Sequence, residues 1–154
     1  MSLSEIKDKT FTIINQIPTS ETTSAKIKWV KKILNFCGKQ NGLQGKTNET
    51  MLNKSNSWTA YVGDWKRFKE PNWSDTGYYS INDVENSDFY TANVGDLLVF
   101  DEIPDAAPDS MQEFQRLVQK YKDIGGLITS VEVYINYKSN GAAWKTNHIE
   151  LIKR

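Results

Sequence analysis

Covalent or acid–base chemistry needs a nucleophile, a base or a set of charged ligands in one neighbourhood, and this 154-residue chain offers few of them. It has one histidine, His148, and one cysteine, Cys37. A catalytic triad requires a base beside its nucleophile, and His148 falls in a stretch that reads as the last strand, where a structural histidine is expected. Cys37 lies among lysines, which lower a thiol pKa, but with no partner base it reads as a buried or incidental thiol. A lone cysteine forms no internal disulfide, and no C-x-x-C or Cys/His cluster is present for zinc. The segment GKQNGLQGKT, residues 38–47, ends like a phosphate loop, yet that motif needs glycine at position 40, where Gln40 stands. Asp101, Glu102, Asp105 and Asp109 in DEIPDAAPDS offer carboxylates to a hard cation without the spacing or the glycine of an EF-hand loop. No cofactor and no metal are expected, and the chain does not read as an enzyme.

The remaining candidates are binding surfaces. Trp58, Tyr61, Trp65, Trp73, Tyr78 and Tyr79 crowd into one polar segment. Such rings stack on sugars or dock a protein partner, because they combine large contact area with polar tips. They can equally form a small core beneath a loop. Charge is the second candidate. The net charge is zero, which argues against generic electrostatic binding to nucleic acid. Its distribution is uneven: residues 1–77 hold 12 basic and 7 acidic side chains, residues 78–154 hold 7 and 12. Lys28, Lys31 and Lys32 lie in an acid-free run, whereas Asp101, Glu102 and Asp105 lie in a run from Glu70 to Glu113 with no lysine or arginine. Either the two regions neutralise one another inside one folded chain, or the basic face docks on the acidic face of a neighbouring copy, head to tail.

These residues must be positioned by elements that the pattern of apolar side chains specifies. TFTIINQI, residues 10–17, is rich in β-branched residues and reads as a strand ending at Pro18. KIKWVKKILNFC, residues 26–37, is ambiguous: Ile27, Val30, Ile33, Leu34 and Cys37 fit a helical stripe, while Ile27, Trp29 and Ile33 partly fit alternation. Residues 38–57 read as a long polar loop. Ser110 to Glu113 is a capping box. Met111, Phe114, Leu117, Val118 and Tyr121 then give one apolar helix face over about 110–123, with Gly125-Gly126 as its stop. Val131, Val133, Ile135 and Tyr137 alternate toward Asn140-Gly141, the dipeptide of a type I′ hairpin turn. That turn sets Tyr137 opposite Trp144, Val133 opposite His148 and Val131 opposite Glu150.

One decapeptide pattern occurs twice, TAYVGDWKRF at 59–68 and TANVGDLLVF at 91–100. The second copy reads as a turn followed by a buried strand, the first as the same turn followed by an amphipathic stretch. Two copies make no solenoid, and the pattern is either one turn used twice or a coincidence. Apolar runs are far shorter than the roughly 20 residues of a membrane-spanning helix, and MSLSEIKDKT has no apolar core of a signal peptide, so cytoplasmic synthesis and no membrane partner are expected.

Several stretches together resemble a family of uncharacterised minor capsid or head–tail junction proteins of phages and prophages of Gram-positive bacteria. They are TFTIINQI, the Tyr61-Val62 segment leading to Phe68-Lys69-Glu70-Pro71-Asn72-Trp73, and Tyr90-Thr91 followed by Val94 to Phe100. The helix Ser110 to Lys122, Ile128 to Val131 and a final strand around His148 to Leu151 complete the set. The resemblance implies a strand at Lys26 to Leu34, no catalytic residues, a virion location, and phage head or tail proteins or other copies of the chain as partners.

The expectation is therefore one α+β domain, a mainly antiparallel sheet with one packed helix and a C-terminal hairpin. Its function would be that of a phage or prophage structural protein acting through protein contacts at Lys28, Lys31, Lys32, Trp65, Trp73, Asp101, Glu102 and Asp105. A carbohydrate-binding module built on the Trp58 to Tyr79 aromatics is the alternative.

Overall fold

A computed structural model describes residues 9–19, 26–41, 57–69, 87–134 and 147–154. Seven strands form one antiparallel sheet: β1 (Lys9–Thr19), β2 (Lys26–Asn41), β3 (Trp58–Val62), β4 (Leu97–Val99), β5 (Gly125–Leu127), β6 (Ser130–Tyr134) and β7 (His148–Lys153). Their order across the sheet is β5-β4-β1-β2-β3-β7-β6, and the sheet curls into a half barrel. Among the described residues one α-helix, α1 (Met111–Lys120), lies between β4 and β5 in the chain. The α+β class follows directly, and the ambiguous segment from Lys26 is a strand.

The two edge strands, β5 and β6, are halves of one continuous segment with only residues 128 and 129 between them. That segment pairs with β4 on one side and with β7 on the other. A sheet that curls until one stretch of chain supplies both its edges leaves little open ladder, which is how barrels avoid edge-to-edge association. Gly125 permits this: a Cβ there would lie 2.2 Å from the Leu98 carbonyl oxygen. Gly125-Gly126 therefore builds the edge strand, and the helix stops earlier, at Lys120.

Concave and convex faces bury different sets. The concave face holds Phe11, Ile13, Leu34, Cys37, Ala60, Val62, Leu98, Ile128, Ile149 and Leu151, closed over by Phe68 and Tyr90. On the convex face, Phe114 and Leu117 of α1 pack on Ile14, Trp29, Leu97, Val99 and Ile103. Trp29 and Phe114 stack at 6.0 Å. Ser110 caps the helix, its hydroxyl accepting from the Glu113 N–H at 3.2 Å. The Glu113 carboxylate turns to Arg116 at 3.2 Å. Met111, expected on the buried stripe, is exposed.

A β-bulge explains how β2 runs for 16 residues. The β1–β2 register shifts between Lys9↔Cys37 and Phe11↔Leu34, and Phe36 at the shift has φ 58°. Leu34 and Cys37 consequently both face the concave core although three residues apart, while Asn35 and Phe36 are exposed. The expected loop at 38–57 is corrected at its start, since residues 38–41 belong to β2 and pair with β3. The remainder, residues 42–56, lies outside the described residues.

The expected hairpin register is also corrected. Val133 pairs with Ile149 and Val131 with Leu151, one residue away from the pairing that an Asn140-Gly141 turn dictates. Ile149 and Leu151 are fully buried and must share a face with Val131 and Val133, so the core sets the register. The turn itself and the Tyr137–Trp144 pair lie outside the described residues.

Candidate functional site

Two of the lysines singled out by charge patterning reach backbone carbonyls in the acid-rich stretch of the same chain. Lys31 projects from the convex face of β2 and its Nζ donates to the carbonyl oxygens of Ile103 at 2.7 Å and Asp105 at 2.8 Å. Lys32 projects from the concave face and its Nζ donates to the Ser87 carbonyl at 2.6 Å. Lys28 is exposed. Two of the three expected docking lysines thus donate to backbone carbonyls of the 87–105 segment of their own molecule. Asp105 is held similarly: the Tyr121 hydroxyl donates to it, and Lys120 Nζ pairs with it at 2.9 Å. Tyr121 first and Lys120 second keep its carboxyl below the ordinary carboxylate range. Asp101 and Glu102 remain on the surface, with Asp101 Oδ1 accepting from the Glu102 N–H.

The aromatic group divides as well. Trp58 is core, 5% exposed, with its ring edge-on to Phe100 at 4.9 Å. Trp65 is partly buried on the concave core. Tyr61 lies on the convex face with its hydroxyl donating to Gln40 Oε1 at 3.2 Å. Trp73, Tyr78 and Tyr79 lie outside the described residues.

The groups with intrinsic reactivity are likewise placed. Burial first, with a smaller contribution from Asp64, pushes the Cys37 thiol up to about 12, so it stays protonated. His148 is 4% exposed, stacks on Tyr134 at 4.8 Å, and its Nε2 lies 2.9 Å from Glu150 Oε2. Its cross-strand neighbour is Tyr134, where the hairpin pattern had set Val133. Among the described residues no helix is long and apolar enough to cross a membrane, and no three His, Cys, Asp or Glu side chains converge on a metal position.

Sequence reasoning missed the most exposed aromatic side chain among the described residues. Phe36 is 55% exposed and sits in the left-handed backbone region, which a bulky L-residue adopts at a cost. No local signal identifies it, because the bulge arises only when β2 pairs with both neighbours. Phe89, 39% exposed with Lys69 Nζ 4.2 Å above its ring, is a second exposed aromatic. Compared with known proteins, the chain matches no family model, no curated protein and no solved structure.

Proposed function

We propose that this protein is a structural component of a phage or prophage particle, a minor capsid or head–tail joining protein that acts through protein contacts rather than catalysis. The observation that carries the reading is Phe36. A strained backbone holding a large apolar ring in solvent gains nothing for the isolated chain, and strain of this kind is retained where a functional contact repays it. Exposed aromatics are also the side chains that dominate binding energy when an interface forms. The resemblance of β1, the Val94 to Phe100 stretch, α1 and β7 to head–tail junction proteins supplies the biological setting. Because Lys31 and Lys32 are engaged inside the molecule, the contact uses exposed apolar side chains more than a lysine face.

The test is to induce phage from the source strain, band the particles on a density gradient and search them for this chain by mass spectrometry. Recovery at a fixed ratio to the major capsid protein is the expected result, and a Phe36→Ser chain should be depleted from the particles. Clean absence from banded particles overturns the proposal.

A further inference from the structure

At one rim of the half barrel β1 and β3 begin while β2 and β7 end, so residues from distant parts of the sequence converge there. The concave face of that rim carries Lys9 across from Cys37, Lys39 across from Ala60, and Lys153 across from Trp58. Lys39 Nζ stands 4.5 Å over the ring of Phe100, which follows β4 at the same rim and packs against Trp58. Among the described residues none of these three lysines makes an ion pair; the ion pairs there belong to Arg67, Arg116, Lys120 and His148. Burial, and then the neighbouring charge of Lys9, lower the pKa of Lys39. Lys9 and Lys39 repel one another, and with Lys153 along the same rim this is an arrangement that an anion would relieve.

A second observation points to the same anion. The indole Nε1–H of Trp58 is buried and has no hydrogen-bond acceptor, although a buried donor without a partner is costly. The Cβ position of Gly126 lies 3.6 Å from Trp58 Nε1 and 3.4 Å from Lys153 Nζ, so the orphaned donor and a cationic head stand beside Gly126 no more than 7.0 Å apart. A single acceptor group there would satisfy the indole and meet the lysine charge together.

We propose that this rim binds a phosphate group, free or on a phosphomonoester. Near neutral pH a phosphomonoester carries about −1.5 to −2 charge and three acceptor oxygens, which suits three lysines and a neutral N–H better than the single charge of a carboxylate. Phe100, with Lys39 across its face, gives an attached organic group an apolar wall. The site is independent of the particle role, and failure of either proposal leaves the other standing.

Indole N–H resonances of the full chain decide it. The Trp58 signal, assigned by its loss in Trp58→Phe or by difference from its neighbours, should move on addition of sodium phosphate up to about 20 mM, well past a millimolar dissociation constant, at ionic strength matched with sodium chloride. A parallel titration with adenosine monophosphate separates the sources: tighter binding than phosphate assigns a phosphomonoester, equal or weaker binding assigns the free ion. Lys39→Gln and Lys153→Gln, changed at side chains outside the packed core, should each weaken binding about tenfold with the remaining spectrum intact. A Trp58 signal unmoved by phosphate and by the monophosphate overturns the proposal, as does an equal response to sodium acetate.

Discussion

The stretches 59–68 and 91–100 share T-A-x-V-G-D-x-x-x-F, yet the fold uses them in opposite ways. In the first, Thr59 to Val62 lies within β3 and the Gly-Asp pair follows the strand, leading into a single 3-10 turn at Trp65–Arg67. In the second, Thr91 to Val94 precedes the strand, and Gly95-Asp96 leads into β4. Gly95 has φ 94°, whereas Gly63 is not among the positive-φ residues. Of the two readings, one turn used twice is thereby excluded and coincidence is left. Asp64 is partly buried and pairs with Arg67 at 2.7 Å. Asp96 is buried beneath the turn and accepts from the Gln16 N–H at 2.9 Å, the Asn15 Nδ2 at 2.8 Å and the Asn93 N–H at 2.9 Å. Local identity specified neither the turn nor the role of the aspartate; the partners waiting in β1 did.

The largest break in the comparison is predicted for the aspartates. Asp96→Ala strands three donors, each worth about 1 kcal/mol or more when left unsatisfied in the interior, so a loss of about 3 kcal/mol is expected in urea unfolding near pH 7. Asp64→Ala removes one partly exposed ion pair and should cost below about 1 kcal/mol. Equal effects would mean that the two copies are energetically alike after all. A pH series sharpens the contrast. Burial drives the Asp96 carboxyl from 3.8 up to about 7, against the hydrogen bonds from Gln16, Asn15 and Asn93 that hold it down. The folded state then binds this proton more tightly than the unfolded state. The stability linked to it is full below about pH 4, falls as pH rises toward about 7, and is constant above. Asp96→Asn should remove that slope; a wild-type slope of the opposite sign between pH 4 and 7 would sink the assignment.

The glycines give the next effect. Gly95→Ala forces an L side chain into the left-handed region and should cost about 1 to 2 kcal/mol, although the Cβ itself meets only Gln16 Nε2, at 3.6 Å. Gly63→Ala meets no such backbone penalty, so its unfolding midpoint should shift less.

How much of this was legible before folding depends on whether the signal was local. β1, β4 and α1 could be read from β-branched content, a buried apolar run and a capping serine, all of which act within one element. β2 was ambiguous for a physical reason: the bulge at Phe36 brings Val30, Leu34 and Cys37 to one face at spacings of four and three, the spacing of a helix. The β6–β7 register was misjudged because the Asn140-Gly141 signal competed with the burial of Ile149 and Leu151, and burial prevailed. Lys31 and Lys32 find backbone acceptors 72 and 55 residues away in the same chain, which charge spacing along the sequence cannot show. The lysine rim was illegible for the same reason: strand pairing between segments distant in sequence brings Lys9, Lys39 and Lys153 to one rim.

The smallest predicted effect concerns the second residue with positive φ and inverts the Gly95 experiment. At Gly95 the backbone demands glycine and has it; at Phe36 the backbone demands glycine and has a phenylalanine. Phe36→Gly relieves left-handed strain of about 1 to 2 kcal/mol and returns part of it through the greater freedom of glycine in the unfolded chain. The ring is mostly in solvent, so little packing is lost. The net expectation is stability unchanged or raised by up to about 1 kcal/mol, measured by urea unfolding, together with depletion of the chain from banded particles. Stability and incorporation moving in opposite directions would separate a residue kept for a partner from one kept for the fold. A clear loss of stability in Phe36→Gly would show the ring to be part of the packing and would withdraw the observation on which the docking role rests.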